Sequence, residues 1–233
     1  MIAREGIRFI LFGLLLTVVF MWIATWQDSS ILFVLSLVCS VLTLWTVFFF
    51  RDPERVCDIQ PGVVTSPADG RVVAIENVAE HAFIGGPAVR ISVFLSIFDV
   101  HVNRVPATGT IDYVKYSPGK FLPAFMDSAS LLNEQTEIGM TASSGERLVF
   151  KQIAGVIARR VVCHLVQGDR VTAGARFGMI RFGSRADLIV SAGSEISVKV
   201  GDRVTAGETV LVHLRGLAEQ SQRTVTTRSE RAD

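Results

Sequence analysis

Three stretches of the chain gather side chains able to hold, give up or attack with a proton-bearing atom. The first is Phe50-Arg51-Asp52-Pro53-Glu54-Arg55, followed by Ser66-Pro67-Ala68-Asp69-Gly70-Arg71. The second runs Phe94-Leu95-Ser96-Ile97-Phe98-Asp99-Val100-His101-Val102-Asn103-Arg104-Val105-Pro106. The third is Arg176-Phe177-Gly178-Met179-Ile180-Arg181-Phe182-Gly183-Ser184-Arg185-Ala186-Asp187. A serine hydroxyl is a weak nucleophile until a neighbouring base takes its proton, and an imidazole of pKa ~6.5 suits that transfer near neutrality. Asp69, His101 and Ser184 therefore make a candidate Ser, His, Asp set that a fold could assemble from distant segments. Each stretch also has an ordinary reading. Pro-Ala-Asp-Gly is a good β-turn, a lone histidine beside a strand is more often structural than catalytic, and Gly-Ser is a common loop dipeptide. Asp99 and Asp187 flank the motifs, where a turn or cap role is as natural as an orienting one. His81, His164 and His213 have no motif around them and read as structural.

The elements that must position these residues are short. From residue 62 onward the chain breaks into β-like runs punctuated by Gly, Pro and Asp: Val63-Val64, Arg71–Ile75, Val89–Leu95, Gly109–Tyr113, Arg147–Ile153, Val156–Leu165, Leu188–Val190, Ile196–Val200 and Thr209–His213. Ala124–Leu132 reads as a short helix or an ordered loop. One heptapeptide, Gly168-Asp-Arg-Val-Thr-Ala-Gly174, recurs verbatim 33 residues later as Gly201-Asp-Arg-Val-Thr-Ala-Gly207. Such Gly-Asp turns join strands in small barrel and sandwich-hybrid modules, biotinyl and lipoyl carriers among them. A non-catalytic, membrane-tethered module of that kind is the alternative reading. Against it, such carriers present a modifiable lysine at a hairpin tip, and residues 175–200 contain only Lys199, set within a predicted strand.

The first 50 residues are a different material. Between Arg8 and Asp28 lie 19 uncharged residues (9–27), and between Asp28 and Arg51 lie 22 more (29–50). As helices they would reach roughly 28 and 33 Å, close to the ~30 Å hydrocarbon thickness of a bilayer. The polar link Gln27-Asp28-Ser29-Ser30 suits a tight turn, and Trp22, Trp26 and Trp45 stand toward the span ends. A cleaved leader fits poorly, because a second apolar run follows the first at once. Arg4 and Arg8 precede the first span, and Arg51 and Arg55 follow the second. The positive-inside rule then puts residues 51–233 on the cytoplasmic side of the cell membrane. A net charge of +1 gives no reason to expect a nucleic-acid partner. Cys39, Cys57 and Cys163 are scattered, which suggests neither a disulfide framework nor a metal site. The expected architecture is a transmembrane α-hairpin over 1–50, a mainly β, compact barrel or sandwich-hybrid domain over 51–217, and a frayed polar tail over 218–233.

Taken together and in this order, the three motifs resemble the phosphatidylserine decarboxylases, in particular their short form with two N-terminal spans. The resemblance runs from about Phe49 to Leu214. Phe182-Gly183-Ser184-Arg185 is similar to the Gly-Ser cleavage element of that family, which reads Leu-Gly-Ser-Thr in longer members. The resemblance implies a zymogen that cuts itself between Gly183 and Ser184, leaving a large subunit (1–183) and a small one (184–233). It implies that Ser184 becomes a pyruvoyl group, the covalent cofactor, which forms a Schiff base with membrane phosphatidylserine and yields phosphatidylethanolamine and CO2, with no metal. A glycine before the serine removes the Cβ obstruction to attack on the Gly183 carbonyl. By the same resemblance Asp69 matches the aspartate of the processing triad. Longer members carry two histidines three residues apart; here the first is His101, and Arg104 stands at the second. Either His101 serves both processing and decarboxylation, or another group supplies one of them. An arginine stays protonated and cannot be a base, so Arg104 is a candidate for the substrate phosphate or carboxylate.

Overall fold

The structure is a computed structural model that describes residues 1–57, 60–120, 122, 132–155, 161–180 and 184–215. It divides into two compact units, Met1–Glu54 and Arg55–Asp233. In the first, α1 (Arg4–Gln27) and α2 (Ser30–Phe49) form an antiparallel hairpin. Asp28 takes a left-handed conformation (φ 49°) and closes α1, its N–H donating to the Ala24 carbonyl. Small residues let the helices approach. A Cβ on Gly6 would fall 2.4 Å from the Phe50 ring, and one on Gly13 would fall 2.3 Å from Thr43 Oγ1. The outward faces, Leu11, Phe12, Leu15, Trp22, Ile31 and Leu44 among them, are exposed and apolar. Both helices are long and apolar enough to cross a membrane.

The second unit is mainly β, as its sequence texture predicts. Its strands are β1 (Val63–Thr65), β2 (Gly70–His81), β3 (Gly86–Leu95), β4 (Val102–Arg104), β5 (Gly109–Ser117), β6 (Gln135–Ala142) and β7 (Arg147–Ile153). After them come β8 (Val161–Cys163), β9 (Arg170–Val171), β10 (Arg176–Ile180), β11 (Ser184–Ser191), β12 (Glu195–Ile196), β13 (Arg203–Val204) and β14 (Val210–His213). Several depart from expectation. Residues 197–200 are not strand, and β4, β6 and β10 form where the sequence reading expects none; in β6, Thr136, Ile138, Met140 and Ala142 alternate onto the buried face, with Gly139 between them. A Cβ at Gly139 would meet the Tyr113 ring at 2.0 Å, so the glycine makes room for a neighbour that only pairing with β5 brings there. Residues 156–160, the stretch 123–131 and the tail from residue 216 lie outside the described residues.

The strand order explains the repeat. The eight-stranded sheet runs β13-β2-β3-β11-β7-β6-β5-β9, and two three-stranded sheets run β1-β14-β12 and β4-β10-β8. Each half of the large sheet mirrors the other about the β11–β7 pair. The two copies of the heptapeptide do the same work: Asp202 O accepts from Val72 N and Asp169 O from Ile111 N, both at 2.9 Å. Gly168 and Gly201, at φ 91° and 99°, make the turns. A second echo becomes visible on the fold. Ser66-Pro67-Ala68-Asp69-Gly70 and Val105-Pro106-Ala107-Thr108-Gly109 enter β2 and β5 respectively, and a bulge follows in each strand, between Val72 and Ala74 and between Ile111 and Tyr113. The shared interior holds one apolar core that includes Val64, Ile91, Val93, Ile138, Phe150, Phe177, Leu188 and Val190.

Candidate active site

Ser184 is the first residue of β11, opposite Leu95 on β3. Side chains alternate along a strand, so Ser184 shares the face of Ala186 and Leu188, which points into the core. Its residue is wholly buried, and among the described residues its hydroxyl has no hydrogen-bond partner. On the opposite face, the buried Arg185 guanidinium makes a two-point ion pair with Asp187, at 2.8 and 2.9 Å. With β3 on one side and β7 on the other, the strand that begins at Ser184 is held along its length. Gly183 lies outside the described residues.

His101 is also wholly buried. Its Nδ1 stands 2.9 Å from the Asp99 carbonyl, which can only accept, so Nδ1 carries the proton and Nε2 carries the lone pair of the neutral ring. The Asp99 side chain shapes that loop: Oδ2 accepts from Ser96 N at 2.8 Å and Oδ1 from Arg203 Nη2 at 2.7 Å. The backbone ties the His101 segment to the strand that precedes Ser184 in the chain. Ile180 N donates to the His101 carbonyl at 3.3 Å, and Ile180 precedes Ser184 by four residues. Four extended residues reach at most ~14 Å, which bounds the separation of the two segments.

Asp69 sits in the turn before β2. Ala68, Leu95 and Ala186 form one buried cluster, so this turn packs beside the Ser184 end of β11. Gly70 (φ 150°) lies against the Phe94 carbonyl, where a Cβ would approach to 2.0 Å. The Asp69 carboxylate has three strong partners: Arg55 Nη1 at 2.6 Å and Ala206 N at 2.8 Å on Oδ1, and Arg55 Nη2 at 2.8 Å on Oδ2. In the other half Thr108 Oγ1 accepts from Ala173 N at 3.1 Å, the same contact to the other heptapeptide. One part of Asp69's work is therefore architectural, and the carbonyl of Asp99 holds the His101 tautomer. Arg104 is 4% exposed, its Nη1 donating to the Gly174 carbonyl at 2.8 Å and its stem lying against Gly207. It occupies the seam between the two heptapeptide turns.

The phosphatidylserine decarboxylase family model matches residues 42–212. The chain belongs to this family. It is 43% identical over 210 residues to the phosphatidylserine decarboxylase proenzyme of Desulfotalea psychrophila, covering 90% of this chain and 95% of that one. To the proenzyme of Symbiobacterium thermophilum it is 43% identical over 213 residues, covering 91% and 95%. To that of Syntrophotalea carbinolica it is 42% identical over 214 residues, covering 92% and 97%.

Sequence reasoning passed over three residues that this phosphatidylserine decarboxylase fold brings to the site: Arg55, Asn103 and Gln152. Arg55 reads in the sequence only as one of the charges that set topology, Asn103 lies inside a motif with no task of its own, and nothing in the sequence around Gln152 marks it. Gln152 Nε2 donates to Asn103 Oδ1 at 2.8 Å and to the Val162 carbonyl at 3.2 Å, and Asn103 Nδ2 reaches the Pro67 carbonyl at 3.4 Å. Cys163 is beside Gly178 in the sheet register, and burial pushes its thiol up, away from thiolate chemistry. Among the described residues no group of three His, Cys, Asp or Glu gathers to hold a metal.

Proposed function

We propose that this chain decarboxylates phosphatidylserine to phosphatidylethanolamine after cutting itself between Gly183 and Ser184. The observation that carries the reading is the Ser184 hydroxyl, buried and without a hydrogen-bond partner among the described residues, at the head of β11, with the wholly buried His101 on the segment that enters β4. A buried hydroxyl left unsatisfied costs stability and calls for an explanation, which a catalytic role supplies. In the precursor, Nε2 of His101 takes the hydroxyl proton and Ser184 Oγ attacks the Gly183 carbonyl carbon, the peptide bond giving way to an ester. Loss of the Ser184 α-proton expels the Gly183 carboxylate, and water replaces the nitrogen of the resulting dehydroalanine, releasing ammonia. Residue 184 fits the pyruvoyl group so made: only a side chain with a β-heteroatom can follow this route, and its place faces the interior beside the Asp69 turn. The group supplies a ketone for the substrate amine and a sink for the electron pair left when CO2 departs.

Around it, the chain's own residues hold and exclude. His101 is poised to move protons, Asp69 and Arg55 lock the turn over the site, and the Arg185–Asp187 pair anchors the strand end that cleavage would free. After cleavage the small subunit (184–233) remains seated, because β11, β13 and β14 pair with β3, β7, β2 and β1 of the large one. The apolar hairpin anchors the domain to the cell membrane, and the flanking arginines put that domain on the cytoplasmic face. A lipid substrate that never leaves the bilayer is then met at high effective concentration.

The test is intact mass and a denaturing gel of the purified full chain. The expected result is two chains, the smaller beginning at residue 184 without a free amine, and a single full-length, inactive chain for Ser184→Ala. An alanine variant that is cut and active defeats the mechanism.

A further inference from the structure

The duplicated fold contains its own control for the polar residues behind Ser184, whose role rests in turn on self-cleavage at Gly183-Ser184. Arg185 lies opposite Phe94, the partner of Arg71, and Arg147 lies opposite Thr141, the partner of Thr110. Glu146-Arg147 thus holds in one half the place of Ser184-Arg185 in the other. Five residues beyond these arginines stand Gln152 and Val190. Three residues before the matching prolines, Pro106 and Pro67, stand Asn103 and Val64. Val64 and Val190 are core residues with no exposure, while Asn103 and Gln152 are each 1% exposed.

The same backbone therefore closes over two valines at one end of the sheet and over two amides at the other. Burying amides is costly unless they are bonded, and here Gln152 Oε1 has no partner among the described residues. Packing alone does not ask for this pair. What the amides add is direction: hydrogen bonds fix distances and angles that apolar contacts leave soft. Their bonds join the Pro67 carbonyl, in the turn that carries Asp69, to Asn103, two residues from His101. They continue from Asn103 to Gln152 on β7, the strand beside Ser184, and on to Val162 of β8.

We infer that Asn103 and Gln152 are positioning residues for self-cleavage, holding the His101 strand and the Asp69 turn at one setting against the strand that begins at Ser184. Bond formation between held groups is steep in distance, a misplacement of ~1 Å costing on the order of a hundredfold.

The test copies one half of the molecule into the other. In full-length protein, Asn103→Val with Gln152→Val is followed by denaturing gel against time from pH 5.5 to 8.5, alongside the parent. Melting is compared in the uncleavable Ser184→Ala background. The expected result is a melting temperature no lower than the parent's, with cleavage at least ~10-fold slower at every pH and an unmoved midpoint of the pH–rate curve. A merely structural pair would not separate stability from rate in this way. Cleavage at the parent rate overturns the inference, as does a shifted midpoint, which would put an amide in the proton transfer itself. Should the double variant fail to fold, two single changes decide. Gln152→Met keeps the volume and loses the donor, so it slows cleavage; Asn103→Asp keeps the oxygen that Gln152 donates to, so it cleaves faster than Asn103→Val. A Gln152→Met protein as fast as the parent, or an Asn103→Asp protein no faster than Asn103→Val, overturns the inference. An uncut parent would defeat the proposed self-cleavage itself, a separate result.

Discussion

Replacing Asp69 by alanine separates the two tasks that fall to this aspartate. The change removes three hydrogen bonds, to both Arg55 nitrogens and to Ala206 N, and leaves the Arg55 guanidinium, 5% exposed, without its counter-charge. Breaking a buried pair from one side costs about 3–5 kcal/mol. Because the Asp69 side chain retains 15% exposure, the lower end, ~3 kcal/mol, is the better expectation. For a domain of this size that lowers the melting temperature by roughly 6–12 °C. The other half suggests a repair: Thr108 makes the matching contact without a charge, so Arg55→Met with Asp69→Thr removes the ion pair from both sides and keeps an acceptor for Ala206 N. The double variant should recover most of the stability and still cut itself slowly, if the Asp69 charge serves the processing step. The assay is thermal unfolding of each variant in the Ser184→Ala background, with cleavage followed on gels in the Ser184 background. An Asp69→Ala protein that melts within a degree of its parent would refute the buried ion pair. A double variant that cleaves at the parent rate would remove Asp69 from the chemistry altogether.

His101→Ala should accumulate uncut chain, slowed by ~10²–10⁴-fold, read on gels; normal cleavage with lost CO2 release would confine His101 to decarboxylation. Arg104→Ala loses the bond to the Gly174 carbonyl and should both melt earlier and cleave more slowly. Unchanged melting and cleavage with poor turnover would return Arg104 to direct contact with the substrate. Burial pushes the Glu146 carboxyl up to about 7, whereas an unfolded chain ionises near ~4.3. The folded state therefore binds the extra proton between these values, and stability should fall as pH rises from about 4.5, levelling above about 7. Glu146→Gln should flatten that slope in melting curves; an unchanged slope would refute the assignment.

Much of this protein is written locally. The apolar runs 9–27 and 29–50, broken by a polar link, specify the hairpin through composition alone, because no tertiary partner is needed to make such runs helical. The three motifs are legible because serine, histidine and aspartate announce their chemistry wherever they stand, and the verbatim Gly-Asp-Arg-Val-Thr-Ala-Gly repeat points to a β module. What lies beyond the sequence is the set of relations between distant positions. Nothing near Asp69 says that its carboxylate turns to Arg55 and Ala206, or that the Asp99 carbonyl sets the tautomer of His101. Arg104 reads as a fixed cation for substrate, and its local sequence gives no sign that the fold seats it, 4% exposed, in the seam between the repeats. The second echo, Pro-Ala-x-Gly, shares too few residues to be seen until the strand order lays β2 over β5. Gln152 has no local signal at all. Its meaning comes from the valine at the matching place in the other half, a comparison that exists only once non-local strand pairing has put the two halves into register.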